Sequence, residues 1–211
     1  MLDALFSNFC HQMPERSFAL GPAVLPFCQR CTGVYLGALA AAIFFASHGR
    51  RQRAAAPPPI LWLNVCFILA MGIFGFHLVE TSAPLRYVTG ALFGSAVVLL
   101  AWPLLLTRLI PQPLSSWNRA DVIRYALVLA ALLAGPFVLG RLPTSDPAAS
   151  RLLASAIAII GLLGLTLILT LPNALLALLI VPRLSTRVRR AVLAAVLLCL
   201  LSGEILVILR I

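Results

Sequence analysis

Long apolar runs, broken by short segments rich in arginine, proline or small polar residues, set the pattern of this chain. A helix needs about 20 mainly apolar residues to cross a hydrocarbon layer of roughly 30 Å. Six stretches meet or approach that length: residues 31–47, 59–79, 86–107, 123–140, 152–181 and 191–209. The breaker Pro57-Pro58-Pro59 opens the second run, and Gly135-Pro136 inside the fourth predicts a kink. The fifth run carries no charge and is long enough to require strong tilt or a break at Pro172, although the stretch beyond Pro172 is too short for a separate crossing. The expected fold is all-α: a polytopic transmembrane helix bundle of about six spans. It divides into three regions: an N-terminal Cys/His cap over residues 1–30, a motif-bearing half with spans one to three over 31–109, and a C-terminal half with spans four to six over 110–211.

The segment before the first run does not read as a secretory signal. Asp3 stands where a basic start is needed, and no uncharged apolar core precedes Pro14. It reads instead as a structured, partly interfacial cap. The remaining loops, about a dozen residues at most, leave no room for a water-soluble domain.

Composition sharpens the membrane assignment. The chain is 62% hydrophobic and 10% charged, against about 45–50% apolar and about 25% charged in soluble domains. That excludes ordinary soluble, disordered and collagen-like chains. The net charge of +10 comes from 16 basic residues, all arginine, against six acids. On a soluble domain such a balance would suggest nucleic acid. Here the arginines lie mostly between apolar runs, where they set orientation and meet anionic lipid heads, so the partner they imply is the lipid bilayer and not nucleic acid. Ten of them follow runs one, three and five, including Arg50, Arg51, Arg53, Arg108 and Arg183. The other six are Arg16, Arg30, Arg86, Arg141, Arg151 and Arg210. This bias places both termini outside, in a multi-pass protein of the cell inner (plasma) membrane, with the N-terminal cysteines on the face where disulfides are permitted.

The chemistry concentrates near the N-terminus. Cys10-His11 is followed by Cys28-Gln29-Arg30-Cys31, so a Cys-x-x-Cys pair has a third thiol and an imidazole within reach. Zinc or another transition metal favours such thiolate and imidazole donors in a tetrahedral set, which makes Cys10, His11, Cys28 and Cys31 candidate ligands. Adjacent residues rarely bind one ion together, so His11 is the doubtful member. The same spacing serves thiol–disulfide exchange, in which one thiolate attacks and its neighbour resolves. Arg30 and the start of a helix would stabilise that thiolate. A purely structural disulfide, Cys28–Cys31 or Cys10–Cys28, and free thiols are further alternatives. Cys66 and Cys199 lie inside apolar runs and read as small apolar fillers.

A second constellation lies where runs two and three meet. His77 and Glu80 are three residues apart, which puts them on one helical face. Ionisable groups beside hydrocarbon are costly and therefore functional suspects, against the plainer reading that both sit in the headgroup layer. With Arg16, Arg30, Arg86 and Glu204 they form a candidate polar pocket or outer layer around the thiols, in which Glu204 is expected to pair with Arg30 or Arg86. Apart from Glu204, runs four to six offer no acid or histidine for a relay across the bilayer, so transport is disfavoured and any enzymatic chemistry is confined to the outer pocket.

The stretch from Arg30 through Thr32 to Gly33 and Gly37 is echoed by Arg86, Thr89, Gly90 and Gly94. Gly-x-x-x-Gly clears a groove for close helix approach, so spans one and three are expected to meet as parallel partners at the outer face.

These residues carry a resemblance. Cys10-His11-Gln12 with Pro14-Glu15-Arg16-Ser17-Phe18, then Cys28-x-Arg30-Cys31-Thr32-Gly33-x-Tyr35-x-Gly37, resembles the predicted membrane proteins of bacteria and archaea called domain of unknown function 2085. Arg86-x-x-Thr89-Gly90-x-x-x-Gly94 is similar to that family's second block. That pattern places an Asp-Gly and a Glu-Ser-Asn run ahead of the second arginine. Here Gly75-Phe76-His77 and Glu80-Thr81-Ser82 stand in that region, with His77 as candidate substitute for the missing aspartate. The resemblance implies a multi-span inner-membrane protein with a Cys/His motif, and it brings no reaction with it. The functional alternatives therefore stand as a metal site at the outer face, a quinone-linked thiol oxidoreductase using Cys28 and Cys31, or a structural or assembly subunit.

Overall fold

The computed structural model describes residues 10, 13–47, 56–75, 81–109, 116–142 and 145–180, together with 188, 191 and 194. A 3-10 turn, Pro14–Arg16, leads into strands β1 (Ser17–Leu20) and β2 (Ala23–Cys28). Beyond them come five helices: α1 (Gln29–Ser47), α2 (Pro58–Gly75), α3 (Ala83–Leu109), α4 (Arg119–Gly140) and α5 (Pro147–Ile180). All five are long and apolar enough to cross a membrane. Of the sixth expected span, 191–209, only Ala191 and Ala194 are described, both helical and exposed, and the rest lies outside the described residues.

The hairpin is the departure from an all-helical chain. Its strands pair antiparallel across a two-residue turn, with Leu20 opposite Ala23. Gly21 takes a φ of 61° there, the left-handed backbone that glycine adopts without steric cost. The register slips between Ser17 and Ala19, and Pro26, which has no N–H to give the ladder, falls in the irregular stretch. Side chains alternate as a half-buried strand requires: Phe18, Leu20, Leu25 and Phe27 point inward and are buried, while Ala19 and Val24 are exposed. The hairpin therefore packs its own apolar face against the helix ends.

Helices α1 and α3 form the central seam. A Cβ added at Gly33 or Gly37 of α1 would strike the backbone of Tyr87 or Ala91, and one added at Gly90 or Gly94 of α3 would strike that of Arg30 or Val34. The contacts advance together along both chains, so the two helices run parallel. Thr32 and Thr89 open the two helices alike, each hydroxyl donating four residues back, to Cys28 O and Leu85 O at 3.0 and 2.8 Å. Helix α5 joins the seam through Gly164, which sits against the Tyr35 carbonyl, and Gly161, which sits against the Phe27 ring.

Helix α2 is peripheral, with Asn64 its only buried residue. Cys66 is exposed on α2, not an apolar filler, because a helix held by one face shows most of its positions to the surroundings; Cys199 lies outside the described residues. Helix α4 opens on a capping box in which Asn118 and Asp121 exchange side-chain and backbone bonds at 2.9 Å, and it continues through Pro136. Helix α5 is unbroken through Pro172. Its 34 residues rise roughly 50 Å, so it must tilt or project beyond a hydrocarbon layer of about 30 Å.

Two apolar cores result. One gathers Phe18, Leu20, Phe27, Tyr35, Tyr87 and Ile157 at the cap end. The other gathers Phe44, Phe45, Leu99, Tyr125 and Leu178 at the opposite end.

Candidate metal centre

Three elements bring three thiols together. Cys28 ends β2, Cys31 lies in the first turn of α1, and Cys10 comes from the segment ahead of the 3-10 turn. The hairpin reverses the chain so that Cys10 returns to the pair, and the Cys28 N–H donates to the Cys10 sulfur at 3.1 Å. The three Sγ atoms lie within 4.8 Å of one another. Points no farther apart than that share a centre at most about 2.8 Å from each, against Zn–S bonds of about 2.3 Å, so a contraction of roughly half an ångström would close a three-thiolate shell. No disulfide joins these three residues.

Burial and charge make the arrangement selective. Cys10 is 5% exposed and the other two are half-buried. The Cys28 thiol is pushed above its ordinary value, chiefly by its hydrogen bond with Cys10 and further by burial, while its hydrogen bond with Cys31 works the other way. Three thiolates this close repel one another, and a bound cation relieves that repulsion, so metal binding and loss of the thiol protons are coupled. Soft sulfur donors suit zinc, monovalent copper or iron in preference to magnesium or calcium.

The residues around the thiols have specific work. Arg30, between Cys28 and Cys31, reaches across to the end of α2 and donates to Phe74 O and Gly75 O at 2.8 and 3.3 Å. A cation on the last carbonyls of a helix satisfies acceptors that have no partner within the helix and favours its negative end. Arg86, at the start of α3, donates from Nε to Thr81 Oγ1 at 3.3 Å. Gln29 is buried and reaches Ser17 O from Nε2 at 3.5 Å, and Arg16 is half-buried in the 3-10 turn. His11, His77, Glu80 and Glu204 lie outside the described residues.

Tyr35, part of the Cys28-to-Gly37 motif, lies beside this group although the sequence reading did not name it as a site residue. It follows Cys31 by one helical turn, is 4% exposed, and its ring meets that of Phe27, the residue before Cys28. The i, i+4 relation to Cys31 was the available signal.

A family model described as predicted membrane protein (DUF2085) matches residues 10–100, the stretch from the first thiol through most of α3. An uncharacterised protein of Methanocaldococcus jannaschii is 31% identical over 107 residues, which cover 49% of this chain and 67% of that relative. An uncharacterised protein of Methanothermobacter thermautotrophicus is 52% identical over 33 residues, 16% of this chain and 30% of that relative. No solved structure matches the chain.

Proposed function

The chain belongs to the predicted membrane protein family called domain of unknown function 2085, and from that premise we propose that it is a multi-pass membrane protein whose Cys10, Cys28 and Cys31 hold a zinc-type transition metal at one end of the bundle. The observation that carries this reading is the convergence of three sulfurs within 4.8 Å of one another from three separate elements. An exchange-type redox centre would hold Cys10 apart and accessible to a substrate disulfide. Its place against the pair, 5% exposed, favours coordination. The fourth position belongs to His11 or to an exchangeable ligand such as water.

The ion's role in this reading is to fasten the cap. It ties the segment before the hairpin to the first turn of α1, where Arg30 in turn holds α2. Passage of the ion through the bundle fits less well, since the described helices α1 to α5 contain a single carboxylate, Asp121, closed by its capping box. The arginine bias assigns the thiols to the outer face of the inner membrane, with His77, Glu80 and Glu204 as polar neighbours.

Elemental mass spectrometry on detergent-purified full-length protein, with thiol counting on the same sample, tests the proposal. The expected result is about one metal ion per chain, lost in Cys28→Ser and Cys31→Ser, with the three thiols alkylated only after chelation. Metal-free protein with a reducible disulfide would replace this reading with the thiol–disulfide one.

A further inference from the structure

Helices α2 and α5 each pack along α3, and between them a cleft of about 360 Å³ remains open on the side of the bundle. Its floor includes Ala101 of α3, a small buried residue of the core away from the cap. Ile68 of α2 and Pro172 of α5 stand on either side, and the exposed Leu104 and Leu176 form the rim. The volume falls within the roughly 300–1,000 Å³ of ligand pockets. Every side chain lining the cleft is apolar. Asn173, next to Pro172 in sequence, donates its side-chain N–H to Leu169 O at 2.7 Å, within its own helix. A ligand that needs hydrogen bonds, such as a quinone ring, finds no side-chain partner there, and an apolar cavity does not hold water. The three helices around the cleft are long and apolar enough to span a membrane, so it opens on acyl chains. Left empty, it would forfeit dispersion contacts along each wall.

We propose that this cleft is a binding site for one acyl chain of an anionic phospholipid, whose headgroup meets the arginines at the end of the bundle away from the cap. Charge complementarity selects this occupant. Ten of the 16 arginines follow runs one, three and five, on the side away from the cap. Arg108 follows Leu104 by one turn of α3. The exposed Arg119 and Arg124 open α4 at the same end, where Tyr125 and Trp117 join the far core. Basic residues at that level attract anionic lipid heads. Lipid tails are as apolar as leucine, so hydrophobicity alone gives a tail no reason to leave the bilayer for the cleft. Fit along the cleft and charge at its end supply the preference.

Native mass spectrometry of delipidated full-length protein in detergent, titrated with phosphatidylglycerol or with phosphatidylcholine of the same chains, tests this. The wild type is expected to hold one phosphatidylglycerol, roughly tenfold more tightly than phosphatidylcholine. Leu176→Trp fills the rim from an exposed position, which spares the fold, and Ala101→Leu fills the floor. Each is expected to weaken the bound phosphatidylglycerol by roughly tenfold. Leu127→Trp, at an exposed position of α4, is expected to bind as the wild type does. Wild-type affinity in Leu176→Trp overturns the inference whatever Ala101→Leu does, and so does equal binding of the two lipids. A wild type that holds no lipid also overturns it, giving the cleft to a second copy if the protein is a dimer and to the rest of this chain if it is a monomer.

Discussion

The two ends of the bundle handle polar groups in opposite ways. In the half away from the cap, Asn64 of α2 accepts from the Tyr125 hydroxyl of α4 at 2.7 Å and donates to Ile60 O at 2.8 Å. Phe44 and Trp117 meet that phenol edge-on, with centroids 5.6 and 5.5 Å away. There the Asn64 and Tyr125 side chains satisfy one another across two helices. At the cap end three soft donors face one another instead, and what would complete them is a cation. Buried polarity alone therefore does not mark a site; the convergence of three thiols that could share one cation is what sets the cap end apart.

Breaking the cap end should give the largest effect. Cys10→Ser replaces a soft sulfur with a hydroxyl and is expected to take metal content from about one ion per chain to none after a chelator wash. A full complement of metal in that variant would reduce Cys10 to a packing residue and erase the contrast. The seam common to both ends comes next. In Gly90→Val the new side chain would drive into the Arg30 carbonyl and the Val34 amide, costing about 1–3 kcal/mol of stability by overpacking. Denaturant titration in mixed micelles measures that loss, and wild-type stability would mean the helices part at no cost. The closed end should respond least. Tyr125→Phe removes the bond to Asn64 at a cost of about 0.6–1.5 kcal/mol, with metal content unchanged. A loss of metal in that variant would show that the two ends are coupled.

How much of this was legible in the sequence depends on which interactions are local. Apolar runs bounded by proline and arginine reported four of the five helices to within a few residues at their described ends, because a span must be apolar over a set length. The run expected over 152–181 begins earlier, at Pro147, since Pro147 can start a helix that Pro172 does not end. The paired Gly-x-x-x-Gly steps indicated which helices would touch, as a missing side chain is visible in the letters themselves. The hairpin was not legible: its alternation of Phe18 with Leu20 and of Leu25 with Phe27 is too short to stand out, and Gly21-Pro22 signals a turn without naming its partners. The grip of Arg30 on α2 and the bond between Asn64 and Tyr125 join distant parts of the chain. Periodicity tells which face a residue occupies and says nothing about what that face will meet. Glu204, expected to pair with Arg30 or Arg86, lies outside the described residues; Arg30 donates to the carbonyls at the end of α2.

The seating of Phe27 against Gly161 also orders events in time. The hairpin is synthesised first, yet α5, which covers it, is made only after α1 to α4. Until α5 arrives, Phe27 and Tyr35 lack the backbone they rest on, and the turn bearing Cys28 and Cys31 has no fixed wall behind it. Completion of the helical scaffold, rather than translation of the cysteines, is the event that commits the cap.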